Sequence, residues 1–336
     1  MLVGCGLGAG EAGEGEASLI VTRGFGAEVL LDASQENPSS SETVARFLDR
    51  EAEIKTSFGG NFIDSIDGVR GGSEDGQRSD WFFYINGYWS AVGAAEARVR
   101  PGDRIWWDYR DWEAAYRIPA VVGSWPEPFA SGLDGVRLPT TVECAADSNA
   151  CGLVAERLEK AGAELSGPPR LLSEAHGGGQ PPVDGDSADD QLRVLVGPWE
   201  ALREDPAAKL ISSGTAASGV YAEFTRAQQS WELVALDTRG REGARLGAGA
   251  GLVAAVRVGE AEPTWLVTGT DEAGVEAAAL LLSAEFLQDR YAVASGTEKR
   301  ADAGPIDGGG SESDEPGAGA AAAEIPLPIV EPRSER

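Results

Sequence analysis

Histidine and methionine are almost missing from this sequence of 336 residues, which contains one of each. An HExxH zinc site needs two histidines and is therefore excluded. The GxSxG turn that presents a nucleophilic serine in many hydrolases is also absent. The one histidine, His176, lies in a polar stretch without a pattern of further ligands, so we expect a solvated side chain. The sequence predicts no enzyme activity, no metal site and no required cofactor.

Basic residues are scarce relative to acidic ones, with 28 Lys and Arg against 55 Asp and Glu, giving a formal net charge of -27. Because Lys and Arg side chains provide the main attraction to phosphate, this charge argues against nucleic acid and anionic membrane surfaces as partners. No apolar run of about 18 residues occurs, which excludes a membrane-spanning helix. We expect an acidic, solvated surface that meets the membrane only through a lipid anchor.

Cysteine is rare as well, and its three positions fall into two groups. Cys144 and Cys151 are separated by six residues, enough for a small disulfide-closed loop in an oxidising compartment. Cys5 ends the segment LVGC, which resembles the lipobox of bacterial lipoproteins and implies lipidation of Cys5 at the cell surface. Only four residues precede it, so either the reading frame is truncated or the match is accidental. Residues 1–17 are interpreted as a lipobox remnant and tether.

Residues 18–118 show the order of elements of a small mixed domain. Two β-rich runs around Gly24 and Gly26 predict a hairpin, and a helix follows with Ser39 or Ser40 as its N-cap and Glu42 completing a capping box. Three or four further strands follow the helix. The last strand, RIWWDYRDW, comes after a Pro-Gly turn at residues 101–102.

Two motifs in this region carry a family resemblance. They are Trp81-Phe82-Phe83-Tyr84-Ile85-Asn86-Gly87, and Pro101-Gly102-Asp103 followed by Ile105-Trp106-Trp107-Asp108-Tyr109. In this order they resemble DUF4430, a domain of unknown function related to the C-terminal β-domain of transcobalamin and intrinsic factor. The resemblance covers the first third of the chain. It implies a β-grasp fold, an extracytoplasmic ligand-binding role and a corrinoid such as cobalamin as the bound ligand.

The segment of residues 80–90, DWFFYINGYWS, contains six aromatic residues although aromatics make up only 7% of the chain. Alternation along a strand places Phe82 and Tyr84 on the face opposite Trp81 and Phe83. An exposed aromatic face would be a binding site, whereas the alternative is packing against a second domain or a long loop. The candidate ligand-binding residues are Trp81, Tyr84, Asn86, Tyr88, Trp89, Trp106 and Trp107.

The rest of the chain divides by composition. Residues 119–137 form a proline-bearing linker, and residues 138–298 alternate apolar runs with helical patterns, which predicts an α/β domain of no recognised family with a mobile loop near 166–190. Residues 299–336 are acidic and rich in Gly and Ala, which predicts a disordered tail. The segment IPLPIV in that tail is either a short extended docking segment or a lone apolar patch.

These observations lead to two hypotheses about function. The first is an extracytoplasmic lipoprotein whose α+β, β-grasp domain captures a small molecule, such as a corrinoid, and delivers it to a membrane uptake transporter. Because the relatives implied by the resemblance use an all-helical partner domain, their binding geometry does not transfer directly to this chain. The second is a cell-surface structural or protein-interaction module without a small-molecule ligand.

Overall fold

The structure is a computed structural model that describes residues 13–74, 77–175, 191–299 and 323–330. The N-terminal domain begins with a hairpin, continues through one helix and ends with a series of further strands. Its elements are β1 (Glu16–Arg23), β2 (Glu28–Glu36), α1 (Val44–Glu51), β3 (Ile54–Ser57), a 3-10 turn (Phe58–Gly60), β4 (Phe62–Ile66), β5 (Val69–Arg70), β6 (Gly72–Glu74), β7 (Gln77–Ile85), β8 (Tyr88–Trp89) and β9 (Arg104–Asp111).

The second domain alternates strands and short helices. Its elements are β10 (Thr140–Cys144), α2 (Asn149–Lys160), β11 (Arg170–Leu171), α3 (Leu172–Ala175), β12 (Leu192–Pro198), α4 (Trp199–Leu202), α5 (Pro206–Ser212), α6 (Thr215–Ser218), β13 (Ala222–Ala227), β14 (Ser230–Leu236), β15 (Glu242–Leu246), β16 (Gly251–Val256), β17 (Thr264–Gly269), α7 (Glu272–Leu280), α8 (Ala284–Leu287), β18 (Ala292–Gly296) and β19 (Ala323–Leu327).

The main N-terminal sheet has the strand order β2-β1-β9-β7-β6, with β8 paired to β7. Strand β1 runs antiparallel to β2 and parallel to β9, and β7 runs antiparallel to β9. A hairpin, a helix and a parallel pairing of the first and last strands together form the predicted β-grasp arrangement. Strands β3, β4 and β5 form a separate small sheet. The α+β class expected for this part of the chain is confirmed.

Helix α1 begins after the predicted N-cap residues. Its N-cap is Thr43, whose side chain accepts a hydrogen bond from the Arg46 amide at 3.3 Å. The Glu42 carboxylate accepts hydrogen bonds from Gln35, Thr43 and Arg50, so it does not complete a capping box with Ser39. The prediction of Ser39 or Ser40 as N-cap is wrong because Thr43 has the extended backbone that an N-cap requires.

The central strands of the main N-terminal sheet, β1, β9 and β7, are buried on both faces. One face packs Leu19, Phe83 and Trp107 against helix α1, and the rings of Phe83 and Trp107 stack at 4.6 Å. The other face carries Tyr84 and Trp106, which belong to a hydrophobic core shared with the second domain. The predicted alternation of side chains along β7 is confirmed, and the second domain supplies the cover for the face opposite the helix.

The second domain is built on a seven-stranded sheet in the order β11-β10-β12-β17-β16-β18-β19. Strands β10, β12 and β17 are parallel, whereas β16, β18 and β19 continue the sheet in antiparallel pairings. Nearly every residue of β16 and β17 is buried, as expected for a sheet covered on both faces. Helices α2 and α7 cover one face, and the core that continues into the N-terminal domain covers the other. The predicted α/β character of this region is confirmed.

Helix α7 approaches this sheet unusually closely because of glycine residues. A Cβ atom at Gly274 would lie 2.1 Å from the Ala250 carbonyl oxygen, and one at Gly251 would lie 2.4 Å from the Gly274 carbonyl oxygen. No side chain can occupy that space without moving backbone atoms. The glycines therefore set the distance between the helix and strands β16 and β17.

The segment predicted as a linker, residues 119–137, packs as a wedge between the two domains. Trp125 and Phe129 are buried, and the Phe129 ring lies 4.9 Å from the ring of Trp265 on β17 in an edge-to-face contact. Val121 faces the core shared by both domains. This segment joins the domains by hydrophobic packing as well as by chain connection.

The predicted C-terminal disorder is wrong for residues 323–330. Strand β19 pairs antiparallel with β18, and the Leu327 side chain is buried in the shared core. The apolar residues of IPLPIV explain the difference, because they cover a strand edge and a core that would otherwise contact water. The docking alternative is therefore the correct one for this segment, whereas the rest of residues 299–336 lies almost wholly outside the described residues.

The predicted disulfide between Cys144 and Cys151 is confirmed. It joins the end of β10 to the first turn of α2, and both residues are buried in the core beneath α2. Within the described ranges, no helix is long and apolar enough to cross a lipid bilayer.

Candidate functional site

Six of the seven predicted ligand-binding residues are buried: Trp81, Tyr84, Asn86, Tyr88, Trp106 and Trp107. Trp81 and Trp107 belong to the core under helix α1, and Tyr84 and Trp106 to the core shared with the second domain. Of the two alternatives left open for the aromatic face, packing against the second domain is the one found in the structure. Their role as ligand contacts stays a prediction. Separation of the domains would expose the shared core, but not Trp81 and Trp107, which lie in the core under helix α1.

Asn86 has a structural role in the turn between β7 and β8. It adopts a φ of 52° and is followed by Gly87 with a φ of 86°, as in the tight turn predicted from Asn-Gly. Its side chain donates hydrogen bonds to Asp103 Oδ1 at 2.9 Å and to the Gly132 carbonyl oxygen at 2.6 Å. It also accepts one from the Arg104 amide at 2.7 Å. These bonds tie β7, β9 and the interdomain wedge together.

The carboxyl group of Asp103 is held in this buried network. Burial raises its pKa to about 6, although hydrogen bonds from the Arg100 amide and Asn86 oppose the shift. A carboxyl group whose pKa is raised on folding destabilises the folded state at a pH where the group is ionised in both the folded and the unfolded protein. The penalty disappears as the pH falls from the folded pKa of about 6 towards the ordinary value of 3.8.

We therefore expect the stability of the protein, relative to Asp103→Asn, to increase as the pH is lowered from 7 to 4. Urea unfolding of both proteins across this range measures the difference in the free energy of unfolding. The amide variant has no proton to bind at this site, so it serves as the reference. A difference that is constant with pH, or that decreases towards pH 4, would contradict the assignment.

The domain interface is organised by Asp108 on β9. Its carboxylate accepts hydrogen bonds from the Thr22 hydroxyl at 2.7 Å and from the Phe25 and Gly26 amides at 3.0 and 3.1 Å. It also accepts one from the Tyr291 hydroxyl of the second domain at 3.0 Å. Consecutive amides in such a turn form a concave anion-binding site, which is filled here by a carboxylate of the same chain. Burial raises the pKa of Asp108.

Tyr291 extends from the second domain into a set of rings of the N-terminal domain. Its ring lies 5.0 Å from Trp106, 5.2 Å from Phe25 and 5.9 Å from Tyr84. Tyr88 makes a second link between the domains, because its hydroxyl donates to Glu262 Oε2 at 2.6 Å. Tyrosine side chains therefore fill the space between the domains at these positions.

The seventh predicted residue, Trp89, belongs to a different group of side chains that reaches the surface. In this group, which we call the aromatic row, each side chain contacts the next in the order Arg78, Trp112, Tyr116, Trp89 and Arg117. Arg78 lies over the Trp112 ring at 4.6 Å, and Arg117 over the Trp89 ring at 5.3 Å. Tyr116 contacts the Trp112 ring at 5.5 Å and the Trp89 ring at 6.1 Å, both edge to face.

The members of the aromatic row are available to a partner. Tyr116 is 58% exposed, Arg78 and Arg117 are exposed, and Trp89 and Trp112 are partly buried. Among the described residues, the guanidinium groups of Arg78 and Arg117 have no ion-pair or hydrogen-bond partner. The row combines accessible apolar rings with guanidinium groups that can donate hydrogen bonds.

A buried arginine positions the row from below. The Arg110 guanidinium lies over the Phe82 ring at 3.8 Å and donates to the Ala115 and Tyr116 carbonyl oxygens at 2.8 and 2.9 Å. These bonds hold the loop after β9 in place, so that Tyr116 projects between Trp112 and Trp89. Four of the five members were missed at the sequence level, although Trp112, Tyr116 and Arg117 stand close together in YRDWEAAYR.

Cys5, the predicted lipidation site, and His176 both lie outside the described residues. Across the described part of the chain, no group of three or more His, Cys, Asp or Glu side chains is arranged to hold a metal ion.

Comparison with known proteins agrees with the family predicted from the two motifs. No curated protein matches the chain. One solved structure, of a Ruminococcus gnavus protein described only as a proposed metal binder, is 16% identical with a TM-score of 0.23; the match covers 30% of this chain and 99% of that one. That similarity is too weak to bear on the fold. Residues 41–111, which include strands β7 and β9 and most of the rings described above, match the family model of DUF4430, a domain of unknown function.

Proposed function

We propose that this protein is a non-catalytic, extracytoplasmic binding protein, anchored through a lipid on Cys5, that contacts another protein through the aromatic row. The exposed position of Tyr116 between Trp89 and Trp112, with an arginine over the outer ring at each end, is the observation that supports this function. Trp, Tyr and Arg are the residue types that dominate binding energy at protein interfaces. The proposal adopts the interaction-module hypothesis.

The rigidity of the surface supports the same proposal. Its members come from strand β7, strand β8 and the loop that Arg110 holds in place, so little conformational freedom is lost on binding. The turn at Gly240 in the second domain lies beside the loop, since a Cβ there would be 3.5 Å from Ala114 Cβ. A partner bound to the aromatic row would therefore contact both domains. Because the two domains pack against each other, the surface that they present together has one fixed shape.

The test replaces Tyr116 with a photo-crosslinking amino acid in cells that naturally produce this protein. We expect one dominant crosslinked product, and we expect it to disappear when Trp89→Ala is added. Phe58 is a matched control position, because it is 84% exposed and lies on the turn between β3 and β4. A product of equal yield from position 58, or no product from position 116, would contradict the proposal.

Small-molecule capture is the second candidate, because Trp89 is the one predicted ring that remains accessible to a flat ligand. On this proposal a corrinoid stacks on the aromatic row and is passed to a membrane uptake transporter. The purified protein is incubated with cyanocobalamin and its visible spectrum is followed through a desalting column. Co-elution that is lost in Trp89→Ala supports capture. Complete loss of the ligand from the unmodified protein contradicts it.

A further inference from the structure

The C-terminal segment 323–330 occupies an acceptor site made by two sheets of the second domain. Strand β19 pairs with β18, with Ala294 opposite Ile325 and Ala292 opposite Leu327. The segment then continues onto the three-stranded sheet β13-β14-β15, where the Ile329 amide donates to the Leu236 carbonyl oxygen at 2.8 Å. Main-chain pairing and apolar packing thus act together, as in peptides bound by strand addition.

The acceptor site is shaped for alternate apolar side chains. Ile325, Leu327 and Ile329 all pack against the shared core, whereas Glu324 and Pro326, which alternate with Ile325 and Leu327, are exposed. Gly243 on β15 leaves room for Ile329, because a Cβ there would lie 2.8 Å from Ile329 Cδ1. The site therefore selects an extended segment with apolar residues at every second position.

The attachment of this strand is short. Only five residues of β19 pair with β18, and Pro326 among them has no amide hydrogen to donate. The connection from Lys299 to Ala323 runs through the 23 residues 300–322. A fully extended chain of that length spans at most about 80 Å. The radius of gyration expected for a folded chain of this size is about 20 Å, so the connection is longer than the molecule's radius. The segment of one copy can therefore reach the acceptor site of a neighbouring copy.

We propose that β19 is an exchangeable strand: the site formed by β18, β14 and β15 binds the 323–330 segment of a second copy of this chain in place of its own. The bound segment makes the same pairings and the same apolar contacts in either arrangement. Exchange links copies of the protein through their C-terminal segments, independently of any partner on the aromatic row.

Two differently tagged populations of the full chain test the exchange. The first carries Ser295→Cys and the second Glu324→Cys, which are opposite each other in the β18–β19 pairing. Directly opposed residues in antiparallel strands are close enough for a disulfide after small adjustments. Both populations carry Cys5→Ser so that this thiol does not react. They are mixed, incubated and treated with a mild thiol oxidant such as oxidised glutathione.

The expected result is a disulfide-linked heterodimer whose yield rises with protein concentration. Leu327→Asp added to the second population should abolish it, because a charge would replace the buried side chain of the donated strand. Gly243→Val added to the first population should reduce it, because the new side chain fills the space of Ile329.

A single chain with both cysteines is the comparison that decides the outcome. Efficient closure within that chain, with a heterodimer yield no higher than in the Leu327→Asp control at any concentration, would show that the strand stays on its own copy. Failure of both disulfides would show that β19 does not occupy β18 in solution. Either result overturns the proposal.

Discussion

Replacing Asp108 with alanine should lower the free energy of unfolding by about 3–5 kcal/mol, one of the two largest effects that we expect. The change leaves the Phe25 and Gly26 amides and the Tyr291 hydroxyl without their acceptor in a buried interface. The Thr22 hydroxyl keeps a second acceptor, the Trp107 carbonyl oxygen at 3.2 Å. Each buried donor that loses its partner costs about 1–3 kcal/mol, and these costs are not additive. Urea unfolding followed by tryptophan fluorescence measures the change.

Tyr291→Phe is the matched control for this experiment. It removes the hydrogen bond from Tyr291 to Asp108 and keeps the ring that packs on Trp106 and Phe25. We expect a loss of about 1 kcal/mol, the typical net contribution of one hydrogen bond. If Asp108→Ala were no more destabilising than Tyr291→Phe, Asp108 would not organise the interface in the way described.

Phe129→Ala should have an effect of similar size, also about 3–5 kcal/mol, because it removes a fully buried ring from a packed cluster. The ring lies 4.9 Å from Trp265 and 5.9 Å from Trp125, so the variant leaves a cavity between the wedge and the second domain. The prediction tests whether residues 119–137 stabilise the molecule or only connect its parts. Thermal and urea unfolding of the variant give the loss.

Val136→Ala provides the control within the same segment. This side chain is 57% exposed, and exposed substitutions of this kind usually change stability by less than about 0.5 kcal/mol. A linker that only connects two domains would tolerate both changes equally. Equal stability of the Phe129 and Val136 variants would therefore contradict the description of a packed wedge.

Local sequence information was sufficient for the side-chain directions along β7, one tight turn and the disulfide. The alternation of residues 81–85 correctly placed Trp81 and Phe83 on one face and Phe82 and Tyr84 on the other, because side-chain direction in a strand depends only on the backbone. The Asn86-Gly87 turn and the Cys144–Cys151 disulfide were also predicted correctly, because each involves residues that are near in sequence.

The accessibility of the aromatic face could not be decided in this way. Phe25, Tyr84 and Trp106 are covered by Tyr221 and Tyr291, which are more than 100 residues away from them in the chain. Nothing in residues 80–90 indicates whether that cover exists. The tail presented the same difficulty, because the apolar residues around Leu327 gain order only from a strand edge elsewhere in the fold.

The aromatic row shows a further limit of prediction from sequence. Arg78 and Trp89 lie at the start of β7 and in β8, and they meet Trp112 and Tyr116 only through the pairing of β7 with β9 and the loop that Arg110 holds. The sequence provided the residue types. Their assembly into one surface depended on strand register, which a list of motifs does not contain.

The cover on the second face of the sheet also constrains how this protein can diverge. Substitutions at Tyr84 or Trp106 would have to be accompanied by complementary changes at Tyr291, so these positions should vary together among relatives with both domains. In relatives that have the β-grasp domain alone, that face of the sheet would be exposed to water and should carry polar residues. The pattern of residues on one strand would thus reveal, in a new genome, whether a second domain accompanies the first.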